Sequence, residues 1–367
     1  MFPNIPFSRL NRTTSAFLIG TFALTLTAVP WYIWRFGIDW FQIVLAFAFF
    51  CATGLSITLG YHRLFSHLAF NAHWTVRLFT LIFGAAAFEN SAMMWASEHR
   101  RHHKHVDHDE DPYDISKGFF WAHIGWLLFK IEPQPPFDNV NDLRRDKLVV
   151  WQHKYVQWIA VVVSFVIPTL IGWAWGGPVA ALGAFLIGGV ARVDALQHCT
   201  FFINSACHTI GSRPYSVRCS ARDSWIMALF TFGEGYHNYH HEFQHDYRNG
   251  VKPWQFDPTK WTIWTLSKLG LAGDLRRVPS EKILLAQLAE TRRQLEQTIA
   301  LLEPSSEPHG IIASAYERLQ AVGHEWADRR ARDMEITREM LAELRREVRF
   351  ALRSLRFAES MMPVAAA

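Results

Sequence analysis

Three short clusters of histidine, each next to a long apolar segment, are the residues of this chain best suited to chemistry. In E-H-R-R-H-H and G-E-G-Y-H-N-Y-H-H the histidines stand at i, i+3 and i+4, on one helical face. In Y-H-R-L-F-S-H the two histidines stand at i and i+5, just over one helical turn apart. Neutral imidazole binds iron, zinc and copper. Three such clusters in one chain predict a polynuclear metal site. The predicted ligands within them are His62, His67, His99, His102, His103, His237, His240 and His241.

The composition indicates a membrane protein with a soluble tail. Half of the 367 residues are apolar, with 16 Trp and 28 Phe, and the long apolar runs end near residue 270. The net charge of +4 is too small to indicate nucleic acid as a partner. The four cysteines form no paired framework and no C-x-x-C, which predicts a reducing compartment.

Four stretches have the roughly 20 apolar residues that a transmembrane helix needs, namely 14–36, 38–60, 156–175 and 178–198. Short turns join the first two and the last two, so they predict two hairpins. A fifth apolar stretch, 76–96, contains Glu89 and Asn90. Since an ionisable group at mid-bilayer is strongly unfavourable, it predicts an interfacial or re-entrant helix.

Two hairpins would keep all three clusters on the side of the N-terminus. Arginine and lysine are frequent on that side, whereas the opposite turns carry almost none beyond Arg35. The positive-inside rule therefore predicts that the N-terminus, the histidine site and the C-terminus are cytoplasmic. In a bacterium the membrane would be the inner, or plasma, membrane.

The composition changes after Pro279, which divides the chain into a membrane-embedded domain (1–280) and a charged helical extension (281–367). Leucine recurs there at helical spacing, and the segment 304–310 breaks the pattern. We expect a C-terminal helical hairpin that covers the cytoplasmic domain, itself or a second subunit, so a homo-oligomer through these helices is one hypothesis. The predicted fold class is thus an all-α membrane protein: four transmembrane helices in two hairpins, a cytoplasmic helical domain with the histidine site, and this hairpin.

With their flanking residues, the clusters resemble the membrane-bound acyl-CoA desaturases of the stearoyl-CoA (delta-9) type and their bacterial relatives. The resemblance covers roughly residues 10–280 and leaves the extension outside. Its matching stretches are G-Y-H-R-L-F-S-H (60–67), E-H-R-R-H-H-K (98–104), G-F-F-W-A-H-I-G-W (118–126), N-S-A-C-H (204–208) and G-E-G-Y-H-N-Y-H-H (233–241).

The resemblance implies a non-haem centre of two iron ions, with O2 as co-substrate. It adds His208 to the eight clustered histidines and implies that Asn204, one helical turn earlier, approaches one iron through a water. Nearby carboxylates are candidates for orienting the imidazoles, with plain surface solvation as the alternative. These are Glu89, Glu98, Asp107, Asp109 and Glu234.

The implied reaction inserts a cis double bond, favoured at delta-9, into a saturated acyl chain. The resemblance favours a coenzyme A thioester; phospholipid or carrier-protein acyl chains are the alternatives. Asn90 and Trp95 are expected to contact the acyl chain, and Lys117 and Lys130 are candidates for the coenzyme A phosphates. No His-Pro-Gly-Gly segment occurs, so we expect a separate electron donor: ferredoxin, rubredoxin, or cytochrome b5 with its reductase.

Two other functions remain as alternatives. A membrane di-iron hydroxylase of lipids or alkanes would use similar clusters and the same oxidant, but the flanking residues favour a desaturase. A metal transporter would hold polar ligands at mid-bilayer in broken helices. Here the clusters flank the predicted spans, which argues against transport.

Overall fold

The computed structural model describes residues 7–130, 137–332 and 337–361 and is mostly helical. The chain forms two compact units. The first consists of Met1–Ser212 and Cys219–Arg277, and the second of Arg213–Arg218 and Val278–Ala367. The sequence division at residue 280 placed 213–218 with the first domain, whereas this short segment folds with the extension.

The first unit contains thirteen α-helices among its described residues, several of which continue into wider π-helical turns. The α-helices are α1 (Arg12–Phe36), α2 (Trp40–Leu55), α3 (Trp74–Ala85), α4 (Ala92–His105), α5 (Trp126–Leu128), α6 (Asn141–Arg144), α7 (Lys147–Val161), α8 (Ile167–Gly183), α9 (Arg192–Asn204), α10 (Ala206–Thr209), α11 (Trp225–Phe230), α12 (His237–Glu242) and α13 (Pro258–Lys268). The π-helical segments are Ser56–Ser66, Trp121–Gly125, Val162–Val166 and Ala184–Ala191, and the 3₁₀ turns are Phe7–Arg9, Ile115–Lys117 and Phe137–Val140. Two short antiparallel strands, β1 (Asn71–Ala72) and β2 (Ala272–Gly273), pair with each other.

Within the described ranges, three helices are long and apolar enough to cross a membrane: Arg12–Phe36, Trp40–Ser66 and Lys147–Thr209. The third has 63 residues and is broken where Gly176 and Gly177 leave helical geometry, Gly177 with φ of +68°. This break is the turn that the sequence predicts. The two arms then pack closely, since a Cβ on Gly172 would lie 2.6 Å from the Cβ of Ala184.

The turns of the two helical pairs lie at the same end of the molecule. Asp39, in the turn between α1 and α2, accepts a hydrogen bond from Trp175 Nε1 at 2.9 Å. The Tyr32 hydroxyl donates to the Val179 carbonyl at 3.0 Å and accepts from Gln42 at 2.7 Å. Both pairs therefore turn together, and their other ends lead to the histidine clusters.

The stretch 76–96 differs from its prediction as a single helix. The stretch contains the end of one helix, α3, and the start of another, α4. Between the two helices, Phe88 and Asn90 have positive φ. The Ser91 hydroxyl accepts a hydrogen bond from the Met94 amide at 3.2 Å, so it caps the second helix. The break allows α4 to change direction and carry its histidines into the site.

Among its described residues the second unit contains three helices, α14 (Ser280–Leu301), α15 (Glu307–Ala331) and α16 (Arg338–Met361), where the sequence predicts a hairpin of two. Its own apolar core includes Leu295, Ile312, Leu319, Leu344 and Val348. A single helix through α15 and α16 would leave half of its apolar stripe uncovered. The apolar stripes of all three helices are buried against one another in this core.

Candidate metal centre

The nine predicted histidine ligands lie together in two groups, each with its ligand atoms within 4.8 Å of one another. The first group draws on all three sequence clusters, and the second adds His208 to members of two clusters. The groups are His62, His67, His99, His103 and His240, and His102, His208, His237 and His241. Within a cluster the i and i+4 members share a group, His99 and His103 the first and His237 and His241 the second. The i+3 members cross over, so His102 serves the second group and His240 the first.

Helices α4 and α12 supply six of these side chains, and the buried π-helical turn Ser56–Ser66 supplies His62. π-helical turns are frequent at functional sites because the extra residue shifts which side chains share a face. His67 follows this turn directly, and its amide donates to the His62 carbonyl at 3.1 Å. His208 comes from the short helix α10.

The imidazole edges face one another at the spacing that a shared metal ion requires. In the first group the Nε2–Nε2 distances are 2.8 Å for His67 and His99 and 3.0 Å for His62 and His240. Two ligand nitrogens at about 2.1 Å from one metal and at right angles lie about 3.0 Å apart. In the second group His237 and His241 have an Nε2–Nε2 distance of 3.1 Å. The buried Nε2 of His208 has no hydrogen-bond partner among the described residues. The donor set therefore fits two metal ions.

Burial keeps these rings neutral and available as ligands. The pKa values of His67, His99, His103, His240 and His241 lie well below the ordinary value, first because burial disfavours the charged imidazolium and then because neighbouring histidines repel it. Lone pairs on neutral rings suit a borderline metal such as iron.

Glu234 supports the first group through His62. Its Oε2 lies 2.8 Å from His62 Nδ1, which leaves Nε2 of that ring facing the other ligands. Arg63 donates to Glu234 Oε1 at 2.8 Å and to Asp257 Oδ1 at 3.0 Å, and all three side chains are buried. Although burial opposes ionisation, the Arg63 guanidinium and then His62 lower the pKa of Glu234 below its usual value. Glu234 is therefore an anionic partner that lies against Nδ1 of His62.

Asp111 and Tyr113 support ligands on α4 but were not among the candidates from sequence. Asp111 Oδ2 lies 2.8 Å from His102 Nδ1, and the Tyr113 hydroxyl lies 3.3 Å from His99 Nδ1. Both residues are buried. The sequence feature that could have indicated Asp111 is the acidic run D-H-D-E-D after the second cluster. This run does not show which of its carboxylates faces the histidines.

Ser220 plays the same part for the second group. Its hydroxyl is 2.7 Å from His208 Nδ1 and donates to Asp107 Oδ1 at 2.5 Å. Asp107 Oδ2 also accepts a hydrogen bond from the Ser220 amide at 2.6 Å. Asp107 thus orients a ligand indirectly, through a residue 113 positions away, and no local pattern pointed to Ser220.

The other candidate carboxylates have different surroundings. Asp109 has a side chain that is 99% exposed and lies away from the rings. Glu89 is half-buried and accepts hydrogen bonds from Thr200 at 2.7 Å and Trp95 at 3.3 Å; desolvation raises its pKa to about 8. Burial likewise raises the pKa of Glu98 to about 7, against the opposing effect of Arg101.

The predicted substrate contacts occupy unequal positions. Trp95 is half-buried, and its ring stacks on His99 with centroids 4.7 Å apart. Asn90 is exposed and uses its side chain to accept the Ser91 amide at 3.1 Å. Lys117 lies 3.7 Å from Asp114 and 4.0 Å from Asp109, whereas the side chain of Lys130 is exposed.

Asn204, the residue expected to approach one iron through a water, is the last residue of α9 and is half-buried. It precedes His208 by one turn of chain. Two further histidines outside both groups pair with each other, since His123 Nε2 lies 3.0 Å from His198 Nδ1. The side chain of His105 is partly exposed, 4.0 Å from Glu110.

Comparisons with known proteins agree on one family. A family model described as "Fatty acid desaturase" matches residues 38–268. Acyl-CoA desaturase 1 of Saccharomyces cerevisiae is 42% identical over 253 residues, which cover 68% of this chain and 49% of the yeast protein. A probable acyl-CoA desaturase of Schizosaccharomyces pombe is 40% identical, over 71% of this chain and 54% of that protein. Stearoyl-CoA desaturase of Sus scrofa is 34% identical, over 68% of this chain and 70% of the pig protein. This chain thus spans about half the length of the two yeast relatives it matches.

Proposed function

Because the chain belongs to the fatty acid desaturase family, we propose that it is an oxygen-dependent acyl-CoA desaturase with two iron ions at its histidine centre. The single observation that carries the proposal is the gathering of nine histidines from distant segments into two adjoining groups with their nitrogens edge to edge. The relatives' names favour a fatty acyl-CoA substrate, and the stearoyl-CoA desaturases among them favour delta-9 as the position.

In this proposal the first group of histidines holds one iron and the second group the other, with Asn204 beside the second through a water. Bound iron would supply dioxygen activation and the oxidising power to remove two hydrogens from an unactivated pair of methylenes. The chain's own residues hold and orient the centre. Glu234, Asp111 and Ser220 fix the rings of His62, His102 and His208 by their Nδ1 atoms.

In the same proposal, Trp95 indicates where the acyl chain of the substrate lies. Its ring stacks on His99, so an acyl chain that reaches the first group would pass this indole. Trp95 also donates to Glu89, which holds the indole in one orientation. Of the four proposed contacts, Trp95 therefore has the strongest support; Asn90, Lys117 and Lys130 would act at the more exposed entrance.

Four spans in two hairpins, with the centre and both termini on the cytoplasmic side, complete the proposal. The paired turns near Trp175 and Asp39 support it, because a bilayer would then separate these turns from the histidines. Electrons would come from a separate carrier such as ferredoxin, rubredoxin or cytochrome b5. The division into a catalytic domain (1–280) and an extension (281–367) remains part of the proposal, as does a homo-oligomer through the extension.

The test is expression in a desaturase-deficient cell, followed by mass spectrometry of the lipids with double-bond localisation. We expect monounsaturated acyl chains from the unmodified chain and none from a His240→Ala control made at the same level. Hydroxylated acyl chains without new double bonds would favour the hydroxylase. Unchanged lipids, with iron bound and an active donor present, would overturn the proposal.

A further inference from the structure

The last helix, α16, carries an unusual row of arginines on its outer side. Six arginines fall on one arc of about 100° at the helical repeat, over a length of about 27 Å. All six are exposed. They are Arg338, Arg345, Arg346, Arg349, Arg353 and Arg356. We call this set the arginine face.

The arginine face points away from the core of its own unit. Leu344, Val348, Ala351 and Leu355 are buried in that core and lie on the opposite side of the helix. The face is therefore not needed to hold the three helices together. A solvated polar face needs no such concentration of one charge sign, because mixed charges serve solubility equally well.

The pairing of charges sets this face apart from four other arginines of the unit. Arg292, Arg293, Arg318 and Arg329 each form an ion pair with a glutamate at 2.7–3.0 Å. Among the described side chains, no member of the arginine face has a carboxylate within 4.0 Å. Arg349 and Arg356 instead donate to backbone carbonyls of their own helix. The face is an unneutralised cationic strip.

Aromatic side chains border the strip. Phe350 is 36% exposed and Phe357 44% exposed, and both lie at one edge of the arginine arc. Phe350 also carries the Arg318 guanidinium 4.2 Å above its ring. Arginine with adjacent phenylalanine on a helix is the combination that binds the headgroup region of an anionic bilayer.

From these observations we infer that the arginine face of α16 docks on the anionic surface of the membrane in which the first unit is embedded. Arginine binds phosphate oxygens in a bidentate manner, and a straight, convex helix face suits a flat array of phosphates. The helices that can cross a membrane lie in the same chain, so this surface is present at high effective concentration. The inference depends on the membrane spans and is independent of the reaction.

The test uses the full chain with a fluorophore on Ala342→Cys. Ala342 is exposed and lies within the arginine arc, so its label reports on this face without removing a charge. The protein is placed in nanodiscs of phosphatidylcholine alone, or with a third of the lipid as phosphatidylglycerol, and a headgroup-bound quencher is added to both. The unmodified chain, labelled in parallel, gives the background from the four native cysteines.

We expect several-fold stronger quenching in the anionic discs, and its loss at high salt, because exposed charges are screened. Replacing Arg345, Arg346, Arg349 and Arg353 together by Gln should remove the difference between the discs. The matched control replaces the four paired arginines, Arg292, Arg293, Arg318 and Arg329, by Gln and removes the same charge from the same unit. It should keep the difference.

Equal quenching in both discs, or an equal effect of the two quadruple variants, would overturn the inference. Hydrogen exchange over 338–361 establishes that the helix persists in each variant. If α16 unfolds in the first variant, the salt titration of the unmodified chain is the test instead. Quenching in anionic discs that does not change with salt concentration would also overturn the inference. Shielding of the label only after addition of an acidic protein would assign the face to that class of partner instead.

Discussion

Oε2 of Glu234 lies 2.8 Å from Nδ1 of His62, although the two residues are 172 positions apart in the sequence. The contact directs the other nitrogen of the ring to the first histidine group and places an anion beside a centre whose nine ligands are all neutral. Arg63, the next residue after the ligand, holds the same carboxylate from the other side. The loop that carries Glu234 and the helical segment that carries His62 and Arg63 thus hold each other in place, and they hold the His62 ring between them.

Glu234→Gln should weaken iron binding at the first group by about 10- to 100-fold, because a partner that orients a ligand and raises its basicity is lost. The measurement is iron per chain against the concentration of a competing chelator. Asp109→Asn is the matched control, since it removes a carboxylate near the second cluster whose side chain is almost fully exposed. Equal iron retention by both variants would mean that Glu234 only packs against Arg63.

His240→Ala should abolish desaturation and weaken iron binding at the first group, because it removes one of the five ligands there and leaves the four histidines of the second group intact. His103→Ala should act in the same way. His105→Ala and His309→Ala should change little, since neither belongs to a group. Elemental analysis of active, unmodified protein that finds one metal, or only zinc, would contradict the two-iron assignment; zinc in an inactive preparation would not.

The metal-free protein should lose stability as the pH falls below about 6.5, the ordinary pKa of histidine. His67, His99, His103, His237, His240 and His241 have lowered pKa values in the folded state, so the unfolded chain binds more protons in this range. Stability is therefore present above this pH and is lost on acidification. Thermal unfolding of chelator-treated protein measures it, and His103→Gln with His240→Gln should flatten the dependence. A midpoint that rises on acidification would contradict the burial of neutral rings.

Ser116→Cys and Gly176→Cys should react with a membrane-impermeant reagent from opposite sides of the membrane. Gly176 lies in the turn that ends the apolar arms of α8, whereas Ser116 lies in the loop after α4. Labelling in sealed vesicles of known orientation measures the difference, with the unmodified chain as background control. Reaction of both from one side would contradict the two-hairpin topology.

A chain truncated near Glu281 should still bind iron and retain some desaturase activity, with lower thermal stability. All nine histidines lie before this point, and the apolar core of the second unit closes on itself. Residues 213–218, however, fold with the removed helices, so the truncated chain loses part of their surroundings. Aggregation is the expected side effect. Complete loss of iron from a truncated protein that remains folded would show that the extension completes the site.

The helical class, the apolar segments, the turn at Gly176 and Gly177 and the eight clustered histidines were all readable from local spacing or local composition, whereas His208 was implied only by the family resemblance. The His99 and His103 pair shows the limit of such reading. Helical periodicity places both on one face, but it contains no information on which distant side chains meet them. The structure divides the histidines into two groups that cut across the clusters.

Only the tertiary structure decided which side chains contact these imidazole rings and where the long helical stretches change direction. Asp111, Tyr113 and Ser220 reach ligands because loops fold over the site, and their sequence surroundings resemble any polar loop. Likewise, α15 and α16 read as one continuous apolar stripe, yet they are two helices whose apolar residues pack against each other. Local propensity sets the period of a helix and thus the position of its apolar stripe. The stripe must be buried against another surface, and where that surface lies is a property of the whole fold.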